Sequence, residues 1–161
     1  MRLPIQDKLE KQLKDAEREL KFDIPKALGT AAAMGDLSEN ADYEAAKERQ
    51  SFLHSRVSML KQRLSQITSL NIERIPKDRS GLGSTLFLKE VETGESRKFK
   101  LVFPEEVNPE EGKISPASPI GKALLGKQEG DEVTINLPGG SNCYEIVQLC
   151  TIHEDSGKET E

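Results

Sequence analysis

An apolar seam through residues 43–67 constrains this chain more than any other feature of its sequence. Its members recur at alternating intervals of three and four residues, and all but one are apolar: Tyr43, Ala46, Gln50, Leu53, Val57, Leu60, Leu64 and Ile67. This spacing is a heptad repeat, which places a stripe along one side of a helix and needs a second helix to cover it. We therefore predict a helix of roughly 30 residues, about 45 Å long, that packs against another helix.

A second amphipathic segment precedes the seam and offers the partner helix. Its apolar positions recur at intervals of four, three and four residues and then continue less regularly: Leu9, Leu13, Ala16, Leu20, Leu28 and Ala31. Pro25 interrupts this pattern, so we expect a kink or a short break there. A short connection around Gly29–Gly35 then predicts an antiparallel coiled-coil hairpin whose far end is the connection itself.

The sequence changes character near Pro76. Hydrophobic residues make up 35% of the 161 residues and aromatic residues only 4%, which is thin for one large core, so we predict two domains, 1–75 and 76–161. Beyond Pro76 a linker-like run, KDRSGLG, leads into short segments of strand-like composition. These segments are 84–91, 97–103, 114–115, 131–136 and 143–152.

One short helix is predicted among these strands. The stretch SPIGKALLG, residues 118–126, has Ser118 as its N-cap, Pro119 at the first helical position and Gly126 just past the end. The final HEDSGKETE is expected to be a frayed tail. The predicted fold class is therefore α+β, with a helical hairpin followed by a small domain of strands and one short helix.

Charge and composition argue against several classes of protein. A net charge of −5 does not provide the basic face of a stand-alone nucleic-acid binder. No run approaches the roughly 18 apolar residues of a membrane helix, and the charged N-terminus lacks the apolar core of a signal peptide, so we expect a cytoplasmic protein without a membrane partner. Cys143 and Cys150 would lie roughly 23 Å apart on opposite faces of an extended strand, which favours reduced core cysteines.

Four carboxylates crowd the start of the second helix. Asp36, Glu39, Asp42 and Glu44 fall within nine residues that contain no cation. In a purely structural interpretation, Asp36 caps the helix and Glu39 completes a capping box. In the alternative, Asp36 and Glu39 bind Mg²⁺, which is often held by only one or two carboxylates plus waters and phosphate. Two carboxylates alone bind Mg²⁺ weakly, so another macromolecule would have to complete such a site.

The residues around these acids resemble a known family. GDLSENADYEAAKERQSFL, residues 35–53, resembles the coiled-coil tip of the bacterial Gre-type transcript cleavage factors. ETGESRKFKLV, EEGKISPASPIGKALLGKQEGDEV and NLPGG resemble the C-terminal domain of that family, in the same order and spacing. The chain is identified by this resemblance as a member of the family, closer to its GreA branch than to its GreB branch.

The resemblance implies a fold and a partner. The N-terminal coiled coil would enter the secondary channel of RNA polymerase. The C-terminal domain would have an FKBP-like fold and dock at the outer rim of that channel, with the start of the short helix as a candidate contact: Ser118, Pro119 and Ile120. We expect the protein to act as a monomer.

The resemblance also implies a chemistry. The family's essential tip acids fall on Asp36 and Glu39, which would help to hold the second catalytic Mg²⁺ of the polymerase and orient the attacking water. The polymerase would then hydrolyse the 3′ end of backtracked RNA, so the protein donates ligands and is not itself an enzyme. Lys47 and Arg49 are the candidate contacts to the RNA 3′ end. Ala32 stands where the family commonly carries a basic residue, which weakens the expected RNA contact.

Three other functions compete with this interpretation. A relative with an altered tip can occupy the channel and inhibit the polymerase without stimulating cleavage, and Ala32 favours that alternative slightly. A prolyl isomerase would need an apolar, largely aromatic pocket, for which the second half of the chain offers few aromatic residues. A plain coiled-coil adaptor would tolerate neutralisation of the tip acids.

Overall fold

The structure is a computed structural model that describes residues 2–35 and 40–155 of the chain. The chain divides into two compact units, Met1–Leu70 and Asn71–Glu161, so the boundary lies five residues before the one predicted between residues 75 and 76. The first unit is a helical hairpin and the second is built on a mixed β-sheet, so the predicted two-domain α+β fold is confirmed. Among the described helices, none is both long enough and apolar enough to span a membrane.

The hairpin is formed by three α-helices and one π-helical segment. These are α1 (Pro4–Arg18), the π-helical segment (Glu19–Asp23), α2 (Ile24–Ala33) and α3 (Ala41–Thr68). The Gln6 amide near the start of α1 lies 3.4 Å from the Thr68 hydroxyl at the end of α3. The Asn40 side chain, just before α3, donates to the Ala31 carbonyl near the end of α2. The helices of the hairpin are therefore antiparallel, as predicted.

The predicted seam of α3 is confirmed at every position. Its members alternate between half-buried and buried, while most of the other side chains of α3 are exposed: Tyr43, Ala46, Gln50, Leu53, Val57, Leu60, Leu64 and Ile67. The facing positions on α1 and α2 are buried or half-buried in the same way: Leu9, Leu13, Ala16, Leu20, Ile24, Leu28 and Ala31. Burial of these two stripes against each other holds the hairpin together.

A π-helical segment takes the place of the break predicted at Pro25. From Ala16 to Leu28 the seam positions are four residues apart three times in succession, which is one residue more than a heptad allows. The wider turn absorbs that extra residue, and the Ile24 N–H accordingly donates to the Glu19 carbonyl five residues back. The same widening directly precedes Pro25, whose ring would clash with a carbonyl in an uninterrupted α-helix.

The connection of the hairpin lies later in the sequence than predicted, between the end of α2 at Ala33 and the start of α3 at Ala41. Gly29 lies inside α2, which continues to Ala33, so the turn does not begin at Gly29. Three consecutive alanines, the best helix formers, follow Thr30 and extend the helix. Gly35 has a φ of 132°, a conformation that glycine adopts readily and other residues rarely adopt.

The second unit, which we call the sheet domain, contains five strands in the order β3-β2-β1-β5-β4. They are β1 (Thr85–Glu90), β2 (Ser96–Leu101), β3 (Lys113–Ile114), β4 (Glu132–Leu137) and β5 (Gly140–Cys150). All neighbours are antiparallel except β2 and β3. The buried cluster of the domain comes from the strands and from helix α4 (Pro119–Leu124): Leu86, Leu88, Leu101, Ile114, Leu124, Val133, Ile135, Tyr144 and Ile146.

The predicted strands and the predicted short helix are confirmed. Each of the five strand-like segments overlaps one observed strand, with bounds that differ by three residues or fewer. Ser118 is the N-cap of α4, with its hydroxyl accepting from the Gly121 N–H at 3.1 Å, and Pro119 is the first helical residue. Gly126 follows the end of α4 with a φ of 76°, as expected of a residue past a helix terminus.

The run KDRSGLG is not a free linker. Ser80 is buried, and its backbone N–H donates to the Lys127 carbonyl at 2.8 Å. Its hydroxyl accepts from the Lys127 N–H at 2.9 Å and donates to the Leu124 carbonyl. These bonds fasten the run to the end of α4, where Leu124 and Lys127 offer unpaired backbone groups.

The start of the predicted tail is also ordered. Residues Ile152–Asp155 form a short helix, α5, and Ile152 is buried. The His153 ring lies 2.8 Å from the Ile75 carbonyl. The prediction of a frayed tail from His153 onward is therefore wrong for residues 153–155.

A bulge in β5 overturns the predicted placement of the cysteines. The register to β1 shifts at Val147, which has no partner on that strand. Ile146 and Leu149 consequently both pack on the core although they lie three residues apart. Cys143 and Cys150 therefore share the opposite, outer face, and the prediction of core cysteines on opposite faces is wrong. Both are free thiols.

Candidate functional site

The candidate site is the connection between α2 and α3, residues 34–40, of which the structure describes Met34, Gly35 and Asn40. Helix α2 ends at Ala33, and the Met34 side chain beyond it is 75% exposed. Asp36 and Glu39, the predicted metal ligands, lie outside the described residues. The described structure therefore defines the two helix ends from which the acid-bearing segment extends.

Asn40, and not Asp36, supplies the N-cap of α3. The helix begins at Ala41, and the Asn40 side-chain oxygen accepts from the Tyr43 N–H at 3.1 Å. The capping interpretation of Asp36 is therefore wrong. Asn40 is the N-cap because it directly precedes the helix, has an extended backbone and carries a side-chain oxygen that accepts from an N–H of the first turn. Capping of α3 no longer explains why Asp36 is present.

Two further acids follow on the first turn of α3. Asp42 and Glu44 are exposed there, where the positive end of the helix dipole favours them by about 0.3–1 kcal/mol each. Within residues 2–35 and 40–155, no three His, Cys, Asp or Glu side chains are grouped to hold a metal ion. Asp42 and Glu44 therefore do not form a metal site with other side chains in the described part of the chain.

Lys47, the first predicted RNA contact, is exposed near the tip. Its ammonium group lies 6.0 Å from the centre of the Tyr43 ring, at the outer limit of a cation–π contact. It follows the start of α3 by six residues, or about 9 Å along the helix axis. The charge is thus available to solvent on the tip-proximal part of α3.

Arg49, the second predicted RNA contact, is engaged within the hairpin. Its guanidinium pairs with the Glu19 carboxylate of the π-helical segment, with Nε 3.1 Å from Oε2, and lies 5.1 Å from the centre of the Phe52 ring. Glu19 was not predicted as a partner of Arg49, because the two residues are thirty positions apart in the sequence. The predicted antiparallel pairing of two heptad helices could have indicated such a pair, since residues that flank the two seams come close together across the hairpin.

Ala32, where a basic residue was expected, is exposed on the last turns of α2. Its methyl group provides no charge to a phosphate. A groove on the same helix is lined by apolar and charged side chains: Asp23, Lys26, Ala27, Thr30, Ala31, Met34 and Asp42. Among these lining residues the cation is Lys26, six residues before Ala32.

The three predicted docking residues begin α4 in the sheet domain. The Ser118 hydroxyl donates to the Ser115 carbonyl at 2.6 Å in addition to capping the helix. Ile120 is half-buried against the core, whereas Pro119 is exposed. Leu125, just past the helix, is a large apolar side chain that is 45% exposed. Pro119 and Leu125 therefore offer surface, while Ser118 and Ile120 hold the helix in place.

Comparisons with known proteins agree along most of the chain. The family model described as "Transcription elongation factor, N-terminal" matches residues 5–68, and the one described as "Transcription elongation factor, GreA/GreB, C-term" matches residues 75–150. A "Transcription elongation factor GreA" from Nautilia profundicola is 41% identical over 144 residues, 89% of each chain. Another from Syntrophus aciditrophicus is 45% identical over 124 residues, 77% of each chain.

Solved structures also match. The crystal structure of GreA factor homolog 1 (Gfh1) of Thermus thermophilus is 30% identical and covers 90% of this chain and 94% of that one, with a TM-score of 0.43. A "Prokaryotic transcription elongation factor GreA/GreB" from Nitrosomonas europaea is 31% identical over 58% of this chain and 78% of its own, with a TM-score of 0.43.

Proposed function

This chain belongs to the GreA/GreB family of transcription elongation factors, and from that premise we propose that it stimulates RNA polymerase to cleave the 3′ ends of backtracked RNA. The hairpin would enter the secondary channel of the polymerase and carry Asp36 and Glu39 to the catalytic centre. The polymerase performs the hydrolysis, and the protein supplies side chains to it. Arrested complexes would thereby regain an RNA 3′ end in the active site.

One observation carries this proposal: the two acids are attached to the end of a long, narrow pair of helices. Helix α3 has 28 residues and is therefore about 42 Å long. Its buried seam faces α1 and α2, so the hairpin needs no further protein to hide its apolar stripe. A two-helix hairpin of this kind is slender enough to reach into a channel while its base remains outside.

The chemistry of the donors fits Mg²⁺. Asp36 and Glu39 provide carboxylate oxygens, the ligands that this ion prefers, and they are three residues apart. Since a lone pair of carboxylates leaves most of the coordination shell open, the remaining ligands would come from the polymerase and the RNA. A second metal supplies activation of the attacking water and stabilisation of the leaving oxygen. Asp36 and Glu39 would hold and orient these groups.

Lys47 is the stronger of the two proposed RNA contacts. Its ammonium group is exposed, near the tip, and lies at the distance of a weak contact from the Tyr43 ring. Arg49 would have to leave Glu19 to reach a phosphate. That pair is half-exposed, so breaking it costs no more than about 1 kcal/mol. Arg49 remains a candidate because a phosphate would repay that loss.

The sheet domain is proposed to dock at the channel rim through the exposed surface at the start and end of α4, including Pro119 and Leu125. One cleft of the sheet domain is lined mainly by charged and amide side chains and does not support an isomerase pocket: Lys77, Asp78, Gln128, Glu129, Leu149, Thr151 and Glu154. A proline ring needs apolar, aromatic walls. We further propose that the protein is a cytoplasmic monomer.

The test is a cleavage assay on elongation complexes walked to a defined backtracked position with labelled RNA. Polymerase alone, polymerase with the protein, and the protein with naked RNA are compared. We expect faster release of short 3′ fragments only when polymerase and protein are both present. Occupancy of the channel with slower cleavage would favour the inhibitory alternative and direct attention to Ala32.

A further inference from the structure

The Asn40 side chain contacts both arms of the hairpin where the acid-bearing segment leaves them. Its Nδ2 donates to the Ala31 carbonyl of α2 at 2.6 Å, and its Oδ1 accepts from the Tyr43 N–H of α3 at 3.1 Å. Carbonyls in the last turn of a helix and N–H groups in the first turn lack intrahelical partners. The Ala31 carbonyl also accepts from the Met34 N–H at 3.1 Å, so the Asn40 amide adds a second bond to that carbonyl while its oxygen satisfies one unpaired N–H of α3.

From this arrangement we infer that Asn40 is a positioning residue for Asp36 and Glu39. The inference rests on the proposed function, because it assigns Asn40 a task in cleavage. The segment that carries the two acids lies between Ala31 and Asn40 in the sequence. A bond between these two residues closes the base of that segment and fixes the separation of the points from which it extends.

Only an amide side chain can make both contacts. Ser, Thr or Asp would cap α3 equally well, but an ionised Asp has no donor, and a Ser hydroxyl is too short to bridge to Ala31. The donor contact is thus a second requirement, independent of helix capping. A residue selected for capping alone would not need it.

The apolar seam is weak at this end of the hairpin. The buried seam residues nearest the tip are alanines, Ala31 on α2 and Ala46 on α3, whereas Leu60 and Ile67 are buried further along α3. An alanine methyl group buries much less apolar area than a leucine side chain, so packing contributes less to closure here. The Asn40 contacts accordingly account for a larger share of what holds the two helix ends together.

The reaction is sensitive to such closure. Magnesium requires oxygen ligands near 2.0–2.1 Å in a nearly octahedral arrangement, and a displacement of about 1 Å can reduce a rate by about 10²-fold. A looser base would lower the cleavage rate without unfolding the stem. It would also leave binding to polymerase intact, since Asn40 lies in the hairpin and the proposed docking surface lies in the sheet domain.

The variant Asn40→Ser isolates the positioning contact, because serine retains the N-cap and loses the bond to Ala31. Asn71→Ser is the matched control, since the Asn71 side chain caps the turn Ile72–Arg74 through the Glu73 N–H at 3.1 Å and lies in the other unit. Cleavage is measured on backtracked complexes over a range of protein and Mg²⁺ concentrations. Amide exchange of Tyr43 reports whether the cap is retained.

For Asn40→Ser we expect the maximal cleavage rate to fall about tenfold, within the range for small misplacement. The protein concentration for half-maximal cleavage and the protection of the Tyr43 amide should stay unchanged, and more Mg²⁺ should be needed. Asn71→Ser should match the wild type. A purely structural role for Asn40 would instead lower Tyr43 protection or weaken binding.

Equal maximal rates for Asn40→Ser and wild type would overturn this inference and leave the proposed function standing. A rate loss explained entirely by weaker binding would also overturn it. Failure of the wild-type protein to stimulate cleavage at all would overturn the proposed function, and the positioning role with it. The wild-type and Asn71→Ser results therefore separate the two failures.

Discussion

The hairpin and the sheet domain bury their apolar side chains in different geometries. In the hairpin, burial follows two stripes, so each seam residue contacts only its neighbours along and across the helices. In the sheet domain, Tyr144 and Leu124 are fully buried within one compact cluster drawn from strands and a helix. A substitution at one end of the hairpin seam leaves the packing at its other end unchanged. In the compact core of the sheet domain, a substitution affects the packing of the neighbouring core residues on several elements. This difference allows the hairpin to present acids at its tip at little cost to stability.

The largest expected effect comes from breaking the stripe at its centre. Leu60 is 7% exposed, and Leu60→Asp would bury an unpaired carboxylate at a cost of several kcal/mol. We expect the hairpin to lose its helical circular-dichroism signal. Amide exchange in β5 should stay slow, because the sheet domain has its own core. Simultaneous loss of both signals would show that the two units do not fold independently.

Addition of one methyl group to a glycine should destabilise the sheet domain but not the hairpin. A Cβ on Gly121 would lie 2.0 Å from the Ser115 carbonyl oxygen, so Gly121→Ala should destabilise the sheet domain by about 1–3 kcal/mol or more. Gly29→Ala is the matched control, because a Cβ there meets no atom within 4 Å. It should stabilise the hairpin by about 0.5–1 kcal/mol. Urea unfolding, followed separately for each unit, measures both; a neutral Gly121→Ala would contradict the close approach.

The π-helical segment yields the smallest expected effect. Proline inside a regular α-helix costs about 3 kcal/mol, but the widened turn before Pro25 already relieves the clash. We therefore expect Pro25→Ala to change the free energy of unfolding of the hairpin by less than about 1 kcal/mol, partly because alanine also gains entropy in the unfolded chain. The Ile24 amide should remain protected. A gain near 3 kcal/mol would show that Pro25 is strained.

The sequence predicted those parts of the fold that depend on periodicity. The seam from Tyr43 to Ile67 and the cap at Ser118 follow from residue type and spacing, and both are present. Two features were not predicted, and each depends on a single inserted residue. They are the extra residue between Leu20 and Ile24 and the bulge at Val147. An insertion changes which face each later residue occupies, and local composition does not reveal where the chain absorbs it.

The candidate site was predicted less completely than the fold. Asp36 and Glu39 were selected for their charge and spacing, and their roles remain predictions. Asn40 was missed because one amide that serves two helices leaves no periodic signal in the sequence. The pairing of Arg49 with Glu19 was missed because it depends on the register between two helices, which spacing within either helix does not determine.

The most direct test of the central claim is the cleavage rate of Asp36→Ala with Glu39→Ala on a backtracked elongation complex at low Mg²⁺. The account predicts a loss of about 10²-fold, equivalent to about 2.7 kcal/mol of transition-state stabilisation. Polymerase binding should be nearly unchanged, and helicity should be intact because Asn40 caps α3. The defect should diminish as Mg²⁺ increases. Cleavage by the double variant at the wild-type rate at low Mg²⁺ would contradict the claim that these two carboxylates supply ligands to the polymerase.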